Sequence, residues 1–332
     1  MKKRSFFKIL VLPVIFTLFT VLFAGSVMAD PKYPEKPVKM IIPYGAGGAT
    51  DLAARILSSV IPDFLGQPIM IVNKPGASGS ICFDYVRKAK PDGYTMMMAA
   101  IGTNALYTAM NTKLPFKWDD LVYIARTQIN PGVTIVNAKS PWKTFEDFAR
   151  ALKKDPGKYK FSTSGLGTIQ HLSAAVIFKG IGIPIPKLIA VPYDSGAAGV
   201  LAVVQGEVDA WSGNFSEAIS NLRGGLVRAL AVTTPERLKA WKKIPTYTEL
   251  GYPSIDLIGW RGVCGPKGLP EYIVKIWEEA IEKTTKTKPW LKLAKNIGDE
   301  PGYLNTKNFS AFQEKEFKVY RELFTELGLL IK

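Results

Sequence analysis

The sequence predicts an α/β fold, and three observations carry that prediction. Short apolar runs that read as buried strands alternate with segments of helical period. Glycine-rich turns repeatedly join such a strand to the helix that follows it. After Asn130-Pro131-Gly132 the same alternation begins again, so the chain holds two α/β units.

The first strand is 38–42. Tyr44-Gly45-Ala46-Gly47-Gly48-Ala49-Thr50-Asp51 follows it. An apolar helical pattern of Leu52, Ala53, Ile56, Leu57 and Val60 comes next. Glycine admits positive φ and lets a ligand approach the backbone closely. The first amides of a helix have no partner within it and lie at the positive end of its dipole. An anion is therefore accommodated there without a cationic side chain. Thr50 and Asp51 are both candidate caps, and Asp51 also suits the dipole. The loop is not a dinucleotide fingerprint. Thr50 stands where a third glycine is needed, and the next strand ends in Asn73-Lys74 instead of an acid. A phosphate loop with its lysine is absent as well. Alone, such a loop is also the ordinary form of a tight strand-to-helix turn.

Residues 67–73 read as the second strand. Gly76-Ala77-Ser78-Gly79-Ser80 is another glycine-rich turn, and a helix runs on to about Ala89. Pro91-Asp92-Gly93 signals a turn before the strand 94–100, after which Gly102-Thr103-Asn104 opens a short helix. This alternation predicts a parallel sheet, and ligands gather at the carboxyl ends of its strands. Gly47, Gly48, Thr103 and Asn104 would then share one rim.

In the second unit, a strand at 133–136 and a helix at 144–153 precede a strand at 159–162. Thr163-Ser164-Gly165-Leu166-Gly167-Thr168 leads from that strand into a helix at 169–179. Hydroxyls, glycine amides and a helix start are again combined, as in a ligand loop or a capped turn. A strand at 188–192 ends in Tyr193-Asp194-Ser195-Gly196, which opens a further helix. The strand 208–214 brings Asn214 toward the presumed cleft. Late strands are read at 227–232 and 255–263. The last helix, 306–327, gathers Phe309, Phe312, Tyr320, Leu323, Phe324 and Leu327 on one face, a core-packing stripe.

His171 is the only histidine. No G-x-S-x-G elbow accompanies it, so a packed or hydrogen-bonded role is expected and no catalytic residue is assigned. Cys82 and Cys264 are either a disulfide or two small buried hydrophobes. Without a Cys/His cluster neither a metal site nor a cofactor is expected. At the N-terminus, Lys2, Lys3 and Arg4 precede an apolar run over 6–24, and Val27-Met28-Ala29 offers small residues for cleavage after Ala29. The run approaches the length of a membrane span, but the small-residue site favours a cleaved secretory leader. No cysteine follows it, so a lipid anchor is not expected. Cleavage leaves about 300 residues, room for two domains. The net charge of +15 falls to about +11 when the leader's four cations are removed. The remaining Lys and Arg residues are scattered, which argues against nucleic-acid binding.

These segments together resemble the extracytoplasmic solute receptors of tripartite tricarboxylate transporters, the TctC or Bug family. The resemblance is carried by Tyr33-Pro34 through the loop at Gly47-Gly48-Ala49-Thr50-Asp51, and by Val72-Asn73-Lys74-Pro75-Gly76-Ala77 and Pro91-Asp92-Gly93-Tyr94-Thr95. It continues in Ser164-Gly165 with Gln170-His171-Leu172, in Gln205-Gly206-Glu207-Val208-Asp209, and in Ile244-Pro245-Thr246 with Glu249-Leu250-Gly251-Tyr252-Pro253. It implies a type II periplasmic binding protein fold, two α/β lobes with a ligand cleft between them. The implied division is 1–29 signal peptide, 30–131 plus 252–332 lobe 1, and 132–251 lobe 2. It further implies a monomeric periplasmic receptor that captures a small carboxylate and delivers it to integral membrane transporter subunits.

Mapped onto this sequence, the implied ligand residues are Tyr44, Gly47, Gly48, Ala49, Thr50 and Asp51, with Thr103 and Asn104 on the same rim. The other lobe offers Ser164, Gly165, Gly167, Thr168, Tyr193, Asp194, Ser195 and Asn214. The chain departs from the family at Asp194-Ser195-Gly196, where a basic residue and glycine commonly follow the tyrosine. An acid at the pocket edge argues against a citrate-like polyanion and leaves monocarboxylates, aromatic acids and amine-bearing acids open. Neither loop contains Lys or Arg, so neutral dipoles are expected to bind the carboxylate. The competing reading is an exported α/β enzyme acting on a small organic acid, which would alter its ligand where a receptor returns it unchanged. A basic protein binding an anionic surface would instead show steep salt dependence and no discrete cleft.

Overall fold

The computed structural model describes residues 32–255 and 257–332; the leader and its cleavage site lie outside them. Two sheets organise these residues. The first has six strands in the order β11-β4-β10-β3-β1-β2. They are β1 (Val38–Ile42), β2 (Ile69–Asn73), β3 (Thr95–Ala100), β4 (Leu121–Asn130), β10 (Gly259–Pro266) and β11 (Glu300–Leu304). The second has five in the order β7-β6-β8-β5-β9. They are β5 (Gly132–Asn137), β6 (Lys160–Thr163), β7 (Ile189–Pro192), β8 (Ala210–Asn214) and β9 (Val227–Val232).

The expected wholly parallel sheet is corrected to a mixed one. β1 runs parallel to both β2 and β3, but β10 is antiparallel to β3 and β4, and β11 is antiparallel to β4. In the second sheet β6, β7 and β8 are parallel, and β5 is antiparallel to β8 and β9. The difference matters for function. The start of an antiparallel strand lies beside the carboxyl end of its parallel neighbour, and Arg261 on β10 pairs with Ala100 at the end of β3. The late strand expected at 255–263 begins four residues further on, and β4, β11 and the helices Glu271–Thr285 and Lys288–Asn296 carry no earlier expectation.

Burial explains the central strands. Every residue of β10 and all but the first of β3 are buried, because both faces are covered by helices. The helix Ala49–Val60 covers one face, burying Ala53, Ala54, Ile56, Leu57 and Val60 while Arg55 points out. The C-terminal helix Thr306–Glu326 buries Phe309, Tyr320 and Phe324 as its aromatic spacing foretells. Trp260 meets Phe309 edge-on at 5.3 Å between ring centroids, which joins that helix to β10. Thr144 caps the helix Phe145–Lys154 with a reciprocal Asp147 bond, a capping box. Cys82 and Cys264 are both free thiols buried in the core.

The chain passes from the first sheet to the second through Pro131 alone, between β4 and β5. It returns through residues 233–258, between β9 and β10. The two passages are tied together: the Gly132 amide donates to Thr233 Oγ1 at 2.9 Å, and the Thr233 amide donates to the Gly132 carbonyl at 3.0 Å.

Candidate ligand-binding site

The carboxyl ends of β1, β3, β6, β7 and β8 face one another, and the loops that leave them meet. Three polar bonds run from one sheet's loops to the other's. The Gly45 amide donates to the Asp194 carbonyl at 3.3 Å, the Ala49 amide to Glu217 Oε1 at 3.0 Å, and Ser78 Oγ to the Leu166 carbonyl at 2.7 Å. Between them is a polar cavity of only about 10 Å³, room for about one water. Tyr44, Thr50, Ser164, Asn214, Glu217 and Arg261 reach it.

The loop after β1 is held by its own side chains. Gly47 takes φ +78°, a left-handed conformation that a side chain would strain. Gly48 is the N-cap of the following helix, and the Asp51 side chain folds back to accept from the Gly47 amide at 2.9 Å. Asp51 also accepts from Arg55 Nε at 2.8 Å and from Asn73 Nδ2 at 3.0 Å. Burial pushes the Asp51 carboxyl up, but Arg55, the Gly47 amide and Asn73 outweigh it and hold it below the ordinary range. Asp51 thus shapes the loop, and Thr50 reaches the cavity. Burial pushes the Tyr44 hydroxyl up to about 12, so it stays protonated. It lies 3.0 Å from Thr103 Oγ1, which places Thr103 behind Tyr44.

Other residues proposed from the sequence serve the walls. Asn104 turns inward from the rim, because its Oδ1 accepts from the Ala100 amide at 3.0 Å and its amide group faces Cys264. Ser164 Oγ donates to Gln170 Oε1 at 2.8 Å. Thr168 Oγ1 donates to the Gly165 carbonyl at 2.7 Å, closing the loop through Gly165 and Gly167. The Tyr193 hydroxyl donates outward to Glu207 at 2.9 Å. Asp194 is exposed and contributes its backbone carbonyl, and Ser195 caps the helix Gly196–Gln205. His171 accepts from the Gly167 amide at 3.3 Å; burial pushes its pKa down to about 4, so it is neutral and fixes that loop.

The charges at the cavity come from residues that local sequence patterns did not expose. Glu217 lies in the first turn of the helix Phe215–Arg223 and is 9% exposed. It accepts from three donors: the Ala49 amide, Gln170 Nε2 at 3.2 Å and Asn214 Nδ2 at 3.3 Å. Burial pushes its carboxyl up, and those donors together with Arg261 oppose the rise. Arg261 is 2% exposed on a central strand, and its Nη1 donates to the Trp260 carbonyl at 2.7 Å. Behind the lining, Asp299, 3% exposed, accepts from Gln128 Nε2; burial lifts its carboxyl to about 7 against the pull of Arg261. The two loops contribute only neutral dipoles, as their sequences imply, but a buried guanidinium from β10, Arg261, also lines the cavity.

Three residues that line this cavity each carry a buried polar atom without a hydrogen-bond partner: Thr50 Oγ1, Asn214 Oδ1 and Arg261 Nε. Buried polar groups are nearly always paired, and leaving one unpaired costs about 1–3 kcal/mol. Three such residues around one small cavity mark it as a candidate place for a polar molecule. A larger groove of about 640 Å³ lies between β10 and the C-terminal helix, but Phe312, Val319, Leu323, Val176 and Leu257 make it mostly apolar. Size alone would select that groove; convergent polar atoms select the cleft.

The family model for the tripartite tricarboxylate transporter family receptor, TctC, matches residues 53–329. The chain belongs to this family of periplasmic solute-binding receptors. It is 29% identical over 311 residues to the protein BugT of Bordetella pertussis, covering 93% of this chain and 94% of that protein. The periplasmic binding protein BugD superposes with a TM-score of 0.85 at 26% identity, covering 90% of this chain and 99% of that one. Rpa4515 of R. palustris, solved with adipate, gives the same TM-score, identity and coverage. The fold is thus that of a two-lobed periplasmic binding protein, and the polar cavity described above lies between its two sheets. Among the described residues no helix is long and apolar enough to cross a membrane.

Proposed function

We propose that the receptor binds a small carboxylate in the cleft between the sheets and passes it to integral membrane transporter subunits, without transforming it. The observation that carries this reading is the set of partnerless buried atoms on Thr50, Asn214 and Arg261. Arg261 supplies the charge and the forked donors that a carboxylate fits. The adipate bound to Rpa4515 supports a carboxylate as the ligand class.

Ligand contacts are assigned to Tyr44, Thr50, Ser164 and Asn214, joined by Gln170, Glu217 and Arg261; the remaining loop residues hold these in place. The lobes are assigned as 30–131 plus 252–332 and 132–251, a division supported by the strands each sheet takes from the chain. The mature protein is a monomer in the periplasm, released by cleavage after Ala29. Mass spectrometry of the small molecule carried by gently purified mature protein tests the function. Recovery of an unchanged carboxylic acid that rebinds the emptied protein is expected. Chemical conversion of that acid on rebinding would contradict the reading.

A further inference from the structure

We infer that Glu217 fills the cleft's anion seat with the protein's own carboxylate, so that the ligand carries no net charge: an amino carboxylic acid whose carboxylate meets Arg261 and whose ammonium meets Glu217. The inference rests on the cleft being the ligand site.

Two helix starts converge on Glu217, one from each sheet. Its Oε1 accepts from the Ala49 amide at the head of the helix Ala49–Val60. Its carboxylate also lies against Gly196, the first residue of the helix Gly196–Gln205, where an added Cβ would fall 2.3 Å from it. Such a place, with two dipole ends pointing inward, is a natural position for an anion. Gln170 and Asn214 donate to the same carboxylate. Three donors and no acceptor around one group are the surroundings of an ionised acid.

Arg261 is placed differently. It interacts with Glu217 through space, yet among the described residues the two form no ion pair. Its Nε has no partner. Its Nη1 is taken by the Trp260 carbonyl, so the Nε edge is what remains for a ligand carboxylate, and Glu217 lines the same cavity to face that ligand's other end.

Charge balance sets the ligand class. The charged groups that line the cavity are Arg261 and Glu217, with Tyr44 protonated; Asp299 acts on Arg261 from behind the lining and is held largely to Gln128. Asp51 is neutralised by Arg55, and Asp194 stands exposed at the rim. Arg261 is already balanced inside the cleft. A dicarboxylate would bring two uncompensated charges into a space shut from water, where unpaired charge is costly. A zwitterion adds none, and each of its ends finds an opposite charge.

Calorimetric titration of the mature protein tests this with matched probes: the protein amino acids, β-alanine and 4-aminobutanoate against succinate, glutarate and malate. At least one amino carboxylate is expected to bind about tenfold or more tighter than its dicarboxylate counterpart. Glu217→Gln keeps an acceptor for the Ala49 amide and should erase that preference. Glu217→Asp should keep the preference with weaker binding, and circular dichroism reports whether each variant is folded. A dicarboxylate that binds best, in a ratio that Glu217→Gln leaves unchanged, overturns the inference and leaves the carboxylate receptor standing. If no probe of either class binds, the cleft as ligand site and the inference fall together.

Discussion

At the residue scale, the cleft is governed by polar groups whose partners come from distant sequence. Glu217 was hidden because Asn-x-x-Glu before a helical run looks like a local cap. Asn214 is indeed the N-cap residue, but its side chain makes no cap bond to the helix backbone, and Glu217 reaches across to Ala49. Arg261 was hidden because its place depends on β10 being antiparallel, which no local pattern reveals. A lone arginine inside Trp260-Arg261-Gly262-Val263-Cys264 was the available signal, since a fully buried charge is rarely idle. The glycine loop was legible because its requirements are local: Gly47 needs positive φ, and Gly48 ends where the helix begins. Gly196→Ala would drive a methyl group into the Glu217 carboxylate. Weakened binding with little change in fold is expected, measured by titration beside circular dichroism.

A second prediction at this scale concerns acid. The His171 pKa is about 4 in the fold and 6.5 when unperturbed, so between these values the unfolded chain binds more protons. The contribution of neutral His171 is complete above about pH 6.5 and is lost as pH falls toward 4. Urea denaturation of the parent and His171→Gln at pH 7 and pH 5 checks this. The parent should lose more stability than the variant on acidification, and equal losses would show that His171 is not the group responsible.

At the element scale, the regular elements followed hydrophobic period and turn chemistry. β1, β9 and the helix at Thr306–Glu326 fall where the pattern puts them within a residue. The antiparallel strands did not, because strand direction is fixed by pairing across the chain and not by local sequence. The passages between the sheets depend on one such long-range pair, Gly132 with Thr233. Thr233→Val keeps the shape but leaves the Gly132 amide without its acceptor. A loss of about 1–3 kcal/mol is expected in denaturant unfolding. Parent-like stability would show that this bond does not hold the two passages together.

At the scale of the whole molecule, two sheets joined by two passages form a hinge, and the cavity of about 10 Å³ is too small for any amino or dicarboxylic acid. Ligand entry therefore requires the lobes to part, with a few residues at 131–132 and 233–258 absorbing the rotation. X-ray scattering of ligand-free protein should therefore give a larger radius than this closed arrangement, and saturation should bring that radius down. A larger radius on saturation would contradict closure around the ligand.

The two-lobed shape was legible from the restart of the α/β pattern after Gly132, whereas the chemistry of the cleft required both lobes to be brought together. That chemistry is tested most directly by calorimetric titration of the purified protein's own released ligand into Arg261→Lys, Asn214→Ala and the outer-groove control Arg126→Gln. Arg261→Lys keeps the charge but loses the fork, and Asn214→Ala removes a lining amide whose Oδ1 lacks a partner and whose Nδ2 donates to Glu217. The expected result is a loss of about tenfold to hundredfold for the first two, a bond to a charged group being worth about 1.5–3 kcal/mol, and none for the third. Parent-like affinity in both folded cleft variants would contradict the assignment of the cleft as the binding site.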